Sequence, residues 1–448
     1  MRVVLSAMRR RASSGPSEVS GTGVRSRASL EADQLAKLRR LLGELQPGNR
    51  FYAPRLRDAG LGPELREVAE LTSRMPFTTK DELVADQERH PPYGTNLTYP
   101  LDRYVRFHQT SGTTGKPLRW LDTAESWSWM VDSWVRVFQA AGAGPDDRIF
   151  FPFSFGPFLG FWTAFDAAPR LGALALPGGG MSSKARLRVL LDNRATALCS
   201  TPTYAIRLAE VAAEEGVGLG DGSVRRIFVA GEPGGSVPAI RRRIAELWGG
   251  AQVWDHHGMT EVGPVSYPNP ERPGILHVLE SSYLAEVLDP ESGEPVGPGG
   301  LGELVLTTLG RLGSPLLRYR TGDLVRISEL TPEELGTPDL ALDGGILARA
   351  DDMVVVRGVN LYPSAVEQVV RRVDGIAEYR VELGRSGSMA ELRVRVEPAP
   401  EVRDPKALVR QLEDAFRTAF QLRVPVLVAD RGELPRFELK AKRWVRSP

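Results

Sequence analysis

The stretch from His108 to Trp120, HQTSGTTGKPLRW, concentrates hydroxyls and glycines and closes on a lysine. Gly112 and Gly115 let backbone N–H groups converge on an anion, while Thr110, Ser111, Thr113 and Thr114 add hydroxyl donors and Lys116 adds a compact positive charge. That is the makeup of a triphosphate cradle, although a Gly/Thr-rich loop taken alone also reads as a plain turn. A Walker loop is disfavoured: it needs four residues between its first glycine and GK[ST], and GTTGKP has another spacing and a proline where the magnesium-binding hydroxyl would stand.

Lysine usage sharpens the reading. Of 57 basic residues only seven are lysines: Lys37, Lys80, Lys116, Lys184, Lys406, Lys440 and Lys442. In so arginine-biased a chain, a retained lysine suggests a site that needs a compact ammonium rather than a planar guanidinium. Lys116 sits in the cradle, and Lys440 and Lys442 sit together near the C-terminus.

The elements that must position these groups follow from periodicity. Helix-spaced leucines run from Asp33 to Leu45, Thr78–Thr79 precede a helix from Lys80, and Ser126 to Ala141 carries Trp127, Val131, Trp134 and Phe138 on one face. Short apolar runs at Arg148–Pro152, Ala173–Leu176, Ala197–Ser200, Arg226–Ala230 and Gln252–Asp255 alternate with helical segments, which predicts parallel β-α units covered on both faces. After Leu276 the pattern turns strand-rich, with Tyr283–Asp289 and Gly302–Thr308 flanking a turn-forming ESGEPVGPGG, and predicts a small antiparallel or barrel-like subdomain. From Asp351 onward short strands and helices predict a separate α+β domain. The expected fold class is α/β: a large N-terminal domain over residues 30–350 with mostly parallel sheets plus a β-rich subdomain, and a small mobile C-terminal domain over 351–448. Residues 1–29, rich in Arg, Ser and Gly with Glu18 as the one acid, read as a disordered extension, with a targeting peptide as the alternative.

Composition bounds the function. With 448 residues, 42% apolar and 25% charged, the chain has material for two or three folded units. A net charge of +1 from interspersed ions offers no footprint for nucleic acid or an acidic membrane, and no apolar run approaches the roughly 20 residues of a membrane span. The single Cys199 excludes an intrachain disulfide and a cysteine-based zinc site, and suits a cytoplasmic protein.

Further stretches extend the pattern in order: MPFTTKDEL (Met75–Leu83), FSFGPF (Phe153–Phe158), AGEP (Ala230–Pro233), DHHGMTE (Asp255–Glu261), YRTGDL (Tyr319–Leu324), ARADDMVVVRGVNLYPSAVE (Ala348–Glu367) and LPRFELKAKR (Leu434–Arg443). With TSGTTGKP they resemble the adenylate-forming superfamily of acyl-CoA synthetases, adenylation domains and luciferases, and most of all its phenylacetate-CoA ligase branch, over about Met75 to Arg443.

The resemblance implies a function for each motif. Nucleotide contacts fall on Thr110, Ser111, Gly112, Thr113, Thr114, Gly115, Lys116, Gly231, Glu232, Pro233, Asp255, His256, His257, Gly258, Met259, Asp323 and Arg349, and the acyl pocket on Phe153, Phe155, Gly156 and Phe158. Asp323 would accept the ribose hydroxyls, where GD alone also reads as a capped turn; Arg349 would contact ribose or phosphate, and alone reads as a surface arginine. Glu261, beside Thr260, is the expected Mg²⁺ ligand, since a hard cation bridging phosphates takes carboxylate and water oxygens; without the family it reads as a loop acid. His256–His257 invites a metal reading, but adjacent residues in extended chain point to opposite faces. His257 stands where the family has an adenine-stacking tyrosine. Phenylalanine at 153 and 155, where relatives often place tyrosine, favours an aromatic or apolar acid.

Lys440 aligns with the family's catalytic lysine, with Leu439 in place of its usual glycine and Lys442 as the fallback, although ELKAKR alone also reads as a basic tail. Asp351 is the expected hinge, and Arg357 and Gly358 line the expected coenzyme A channel. The implied reaction joins a carboxylic acid to AMP at the expense of ATP, with Mg²⁺, and then hands the acyl group to coenzyme A. The alternatives are transfer to an acyl carrier protein or an amine, and a non-catalytic nucleotide-binding protein. A homodimer is left open.

Overall fold

The computed structural model describes residues 26–110, 116–356, 359–386, 389–437 and 441–446. Residues 1–25, the cradle residues Ser111, Gly112, Thr113, Thr114 and Gly115, Arg357, Gly358 and Lys440 lie outside the described residues, as does the side chain of Asp351.

Helix α1 (Arg27–Gly48) starts inside the segment read as an extension: Ser26 caps it by accepting from Ser29 N, and Arg27 pairs with the buried Glu280 at 2.6 Å. Its leucines 30, 38, 41, 42 and 45 are buried along one face. Helices α2 (Tyr52–Asp58), α3 (Val68–Arg74) and α4 (Lys80–Arg89) follow, then the hairpin of β1 (Tyr104–Gln109) and β2 (Arg119–Thr123), then α5 (Ala124–Ala140). Thr79 and Glu82 form a reciprocal capping box that fixes where α4 begins.

The predicted β-α alternation is present: β3 (Arg148–Phe151), α6 (Trp162–Leu171), β4 (Leu174–Pro177), α7 (Ser183–Asp192), β5 (Ala197–Ser200), α8 (Pro202–Glu214), β6 (Arg226–Ala230), α9 (Pro238–Leu247) and β7 (Gln252–His256). The five strands are parallel in the order β4-β3-β5-β6-β7. Alternate residues feed separate cores, with Ile149, Phe151, Cys199 and Phe228 on one face and Phe150, Leu198, Ile227 and Val229 on the other. Chain order reverses beside β3, and in such a sheet the crevice outside the carboxyl ends at that reversal is where ligands bind.

A two-residue pairing of β8 (Gly258–Met259) with β9 (Gly263–Pro264) leads into a six-stranded antiparallel sheet. Its strands are β10 (Ser266–Pro268), β11 (Ile275–Val278), β12 (Tyr283–Leu288), β13 (Leu301–Thr308), β14 (Tyr319–Ile327) and β15 (Ala341–Arg349), in the order β10-β11-β15-β14-β13-β12; the turn α10 (Pro332–Leu335) joins β14 to β15. The subdomain thus begins earlier than predicted and includes the YRTGDL motif as β14.

After the 3₁₀ turn Ala350–Asp352 come β16 (Val354–Val356), β17 (Val359–Leu361), α11 (Pro363–Arg371), β18 (Ile376–Ser386), β19 (Met389–Pro398), α12 (Pro405–Phe420), β20 (Val426–Val428) and β21 (Trp444–Arg446). The last four strands make a sheet in the order β20-β19-β18-β21, and Val366, Val381, Val394 and Phe416 belong to a core distinct from the other two.

One buried ion pair ties the N-terminal layers together. Arg311 holds both oxygens of Asp122 on β2 at 2.7 and 2.8 Å with both side chains fully buried, and its remaining donors reach the carbonyls of Thr260 (2.9 Å) and Glu261 (2.7 Å). Asp122→Ala leaves a buried guanidinium without its counter-ion, and the expected loss is about 3–5 kcal/mol. Urea titration checks it; a loss below about 1 kcal/mol would mean that water or another acid takes over the pairing.

Candidate active site

The carboxyl ends of the parallel strands carry the motifs: Phe153–Phe158 follows β3, Thr201–Thr203 follows β5, Gly231–Pro233 follows β6, and His256–His257 closes β7. Two hydrogen bonds stitch the first of these to its neighbours. Gln109, at the end of the strand that enters the cradle, donates its N–H to Pro157 O (2.6 Å), and Leu159 N donates to Thr260 Oγ1 (3.4 Å). The acyl segment is therefore bracketed by the cradle strand and the Glu261 loop.

Within that segment the aromatic rings pack edge-to-face, Phe153 against Phe155 (5.3 Å), Phe158 (5.4 Å) and Phe161 (5.5 Å). Phe153 is buried and Gly160 (φ 42°) lies so close beneath it that a Cβ would meet its ring at 2.3 Å, while Phe155 and Phe158 are half-buried. Gly156 O accepts from Trp162 Nε1 at 2.9 Å. Phe153 thus acts as the core anchor, and Phe155 and Phe158 keep free surface. Arg186, unnoticed in the sequence, is buried behind them and donates to Ser154 Oγ (3.1 Å), Gly178 O (2.9 Å) and Tyr204 OH (2.8 Å).

The two histidines separate as extended backbone requires. His256 turns inward, its ring 4.1 Å from that of Trp134 and its Nδ1 2.7 Å from Ser266 O, and burial pushes its pKa down to about 3. His257 turns to Asp323: its Nε2 stands 2.8 Å from Asp323 Oδ2, but off the line of a hydrogen bond, so the buried Oδ2 still lacks a donor among the described residues. Arg349 donates to the other oxygen, Oδ1, at 3.0 Å, and to Thr321 O at 3.3 Å, across the pairing of β14 with β15. The Asp323 carboxylate is thus oriented and buried, with Oδ2 against the His257 ring, so a sugar hydroxyl reaches that oxygen only when the ring moves.

Glu261 follows β8 in a tight loop and is buried, with Lys80 Nζ 3.7 Å from its carboxylate. The MPFTT segment sets Lys80 there: Thr78 bridges to Tyr319 of β14, its hydroxyl donates to Leu317 O (2.8 Å) and meets Tyr52 OH (3.0 Å), and α4 starts at the next residue but one. Lys80 was one of the scarce lysines, a signal that sequence reasoning did not follow up. Lys116 pairs with Glu88 at 2.7 Å on the surface. For Mg²⁺, the donor set fits: an ion carried on substrate phosphates takes one or two protein carboxylates, and the Glu261 carboxylate, with Lys80 Nζ 3.7 Å away and no direct hydrogen bond between them, would offer one hard oxygen. Among the described residues no group of three His, Cys, Asp or Glu side chains forms an all-protein metal cage.

Gly231 has φ 94°, and both Glu232 oxygens are engaged, Oε1 by Thr203 N and Oε2 by Ala441 N, each at 2.9 Å. Asp255 accepts from Ser236 Oγ at 2.5 Å, and Gly235 approaches it so closely that a Cβ would lie 2.5 Å from its carboxylate. Asp255 is thereby committed to holding the AGEP loop.

The AMP-binding enzyme family model matches residues 66–310, and the AMP-binding enzyme C-terminal domain model matches residues 358–446. The chain belongs to the AMP-binding, adenylate-forming enzyme family. Among its relatives, the phenylacetate-coenzyme A ligase of Thermus thermophilus is 34% identical over 83% of this chain and 82% of its own length. That of Escherichia coli K12 is 30% identical over 92% and 94%. A solved 2-hydroxyisobutyryl-CoA ligase in its postadenylation state with 2-HIB-AMP superposes with a TM-score of 0.88 (27% identity; 95% of this chain, 91% of that one). The same ligase in its thioesterification state, with CoA, superposes with 0.70 (29% identity; 94% and 91%). The arrangement of the large and small parts here resembles the former state.

His108, stacked on Trp127 at 5.2 Å, is likewise held neutral, its pKa pushed down to about 4 by burial. The unfolded chain takes up protons near pH 6.5 that folded His108 and His256 refuse until about pH 4 and 3. Stability is therefore full above about pH 6.5 and falls on acidification, by at most about 1.4 kcal/mol per pH unit for each histidine. Urea unfolding between pH 4 and 7 should show that slope, reduced in His108→Gln and in His256→Asn. A slope unaltered in both variants would contradict the assignment.

Proposed function

We propose that this chain is an AMP-forming acid-CoA ligase acting on an aromatic or apolar carboxylic acid. The observation that carries it is the convergence, at the carboxyl edge of the parallel sheet, of the phenylalanine segment, Glu261 and the Asp323–Arg349 pair, in a chain whose relatives are phenylacetate-CoA ligases. In the first half-reaction a carboxylate oxygen of the acid attacks the α-phosphorus of ATP. The new C(O)O–P bond forms as the bond to the pyrophosphate oxygen breaks, giving acyl-AMP. Two anions must be held together, so positioning and charge neutralisation supply the catalysis. The half-buried rings of Phe155 and Phe158 would hold the acyl group; Asp323, ordered by Arg349, would accept a ribose hydroxyl on Oδ2 once the His257 ring turns away from it; the cradle with Lys116 would bind the phosphates; and Lys440 would bridge acid and phosphate. Glu261 would hold Mg²⁺, which when bound neutralises phosphate charge.

In the second half-reaction the thiol of coenzyme A attacks the acyl carbonyl, its proton is lost, and AMP leaves. Residues 30–350 form the nucleotide-binding part and 351–448 a lid that turns about Asp351, withdrawing Lys440 and presenting the Arg357–Gly358 segment to the pantetheine arm. Cys199 takes no part, because its buried thiol is pushed well above its usual pKa. Among the described residues no helix is long and apolar enough to cross a membrane. The cytoplasm, where ATP and coenzyme A are both at hand, is the compartment that fits these substrates.

Incubation with ATP, Mg²⁺, coenzyme A and a panel of aryl acids should yield AMP and acyl-CoA in equal amounts. Acyl transfer to a phosphopantetheinyl carrier protein in preference to coenzyme A would reassign the acceptor. Lys440→Ala should abolish acyl-AMP formation and Lys442→Ala should not; equal loss in both would sink the choice between them. Phe158→Ala should weaken acid binding by about 1–3 kcal/mol with ATP binding unchanged; a fall in melting temperature with unaltered acid affinity would return Phe158 to the core.

A further inference from the structure

Glu232 belongs to a motif expected to touch the nucleotide, yet its carboxylate is spent elsewhere. Oε1 accepts from the N–H of Thr203, in the first turn of α8, where Pro202 precedes it and has no N–H to give. That bond, reinforced by the positive end of the 13-residue helix α8, fixes the carboxylate. Oε2 then accepts the N–H of Ala441, which belongs to the small C-terminal part. Ala441 is one peptide bond from Lys440.

A second contact lands on the same point. Arg443 donates to Thr203 Oγ1 at 3.4 Å, and its guanidinium is anchored in the small part by Glu378 (2.7 Å) and by stacking 5.0 Å over Tyr379. Ala441 and Arg443, alternate residues just before β21, are thus held by the turn that follows β6 and the first turn of α8.

We propose that Glu232 is a positioning residue for adenylation: by accepting the Ala441 N–H it docks the segment that carries Lys440 on the large part, and it makes no contact with the nucleotide. This rests on the ligase reading above and adds a residue to it. The bond spans the two parts, so rotation of the small one breaks it, and Glu232 stabilises one orientation only. Its loss must then slow one half-reaction and leave the other untouched. The bond is also charge-assisted, which makes it worth more than a neutral backbone contact.

The test uses Glu232→Ala and Glu232→Gln in the full chain, with phenylacetate as the probe acid; glutamine offers one acceptor to two amides. Single-turnover formation of phenylacetyl-AMP should fall about 10- to 100-fold in Glu232→Ala and less in Glu232→Gln. KM for ATP should stay within about twofold, and conversion of synthetic phenylacetyl-AMP and coenzyme A to thioester should run at the wild-type rate. A raised KM for ATP with unchanged kcat would make Glu232 a nucleotide contact, and equal loss in both half-reactions would make it a general structural residue; either overturns the proposal. Hydrogen exchange, without acid or nucleotide, supplies an independent arm: amide protection at Ala441 and Thr203 should drop in Glu232→Ala, and unchanged protection would overturn the clamp. Should the wild type form no phenylacetyl-AMP, the choice of acid fails and the exchange arm alone decides the clamp.

Discussion

The site is hung on a single guanidinium. Arg311 is fully buried, and a buried guanidinium is tolerable only when its five N–H groups are matched by acceptors. Asp122 supplies two oxygens from the hairpin of β1 and β2, and Thr260 and Glu261 supply carbonyls from the loop after β8. Arg311 itself lies between β13 and β14, so one side chain registers three otherwise separate pieces of chain. The backbone at Glu261 is held by this, because its carbonyl is one of the four acceptors.

Three further cations are set by separate elements. Lys80 arrives on the first turn of α4, set by the capping box and by Thr78; Lys116 closes the cradle on the surface; Arg349 crosses from β15 to Asp323. Each cation comes from a different element and faces a carboxylate partner: Glu261, Glu88 and Asp323. Among the described residues the small C-terminal part reaches the large one through the Ala441 N–H, Arg443 and the Ser364 hydroxyl, which donates to Leu347 O on β15, polar contacts suited to being broken and remade.

Much of this was legible because local signals and tertiary demands agreed. The five parallel strands alternate with helices as read, since each run is short and apolar and all but the edge strand β4 are largely buried, and α12 begins at a proline behind Asp404 and runs to Phe420 as its periodicity indicates. Less visible were β1, β2, β14 and β15, whose sequences carry motif or turn residues: YRTGDL reads as a loop from its Gly-Asp, yet it pairs along β13 and β15 with a register shift on each side. The opposite facing of His256 and His257 was readable from backbone geometry alone. The division of labour among the phenylalanines was not, because it depends on the close approach of Gly160 beneath Phe153. Nor were the partners of Glu232 and Arg186, which lie 209 and 32 residues away and which no local pattern encodes.

The central claim, that the chain makes an acyl-adenylate before any thiol is involved, is tested most directly by isotope exchange between pyrophosphate and ATP. With purified protein, Mg²⁺, ATP and an aryl acid but no coenzyme A, labelled pyrophosphate should enter ATP at a rate that saturates with the acid and vanishes without it. Acyl-CoA formation with no acid-dependent exchange, or exchange that appears only when coenzyme A is added, would contradict the account.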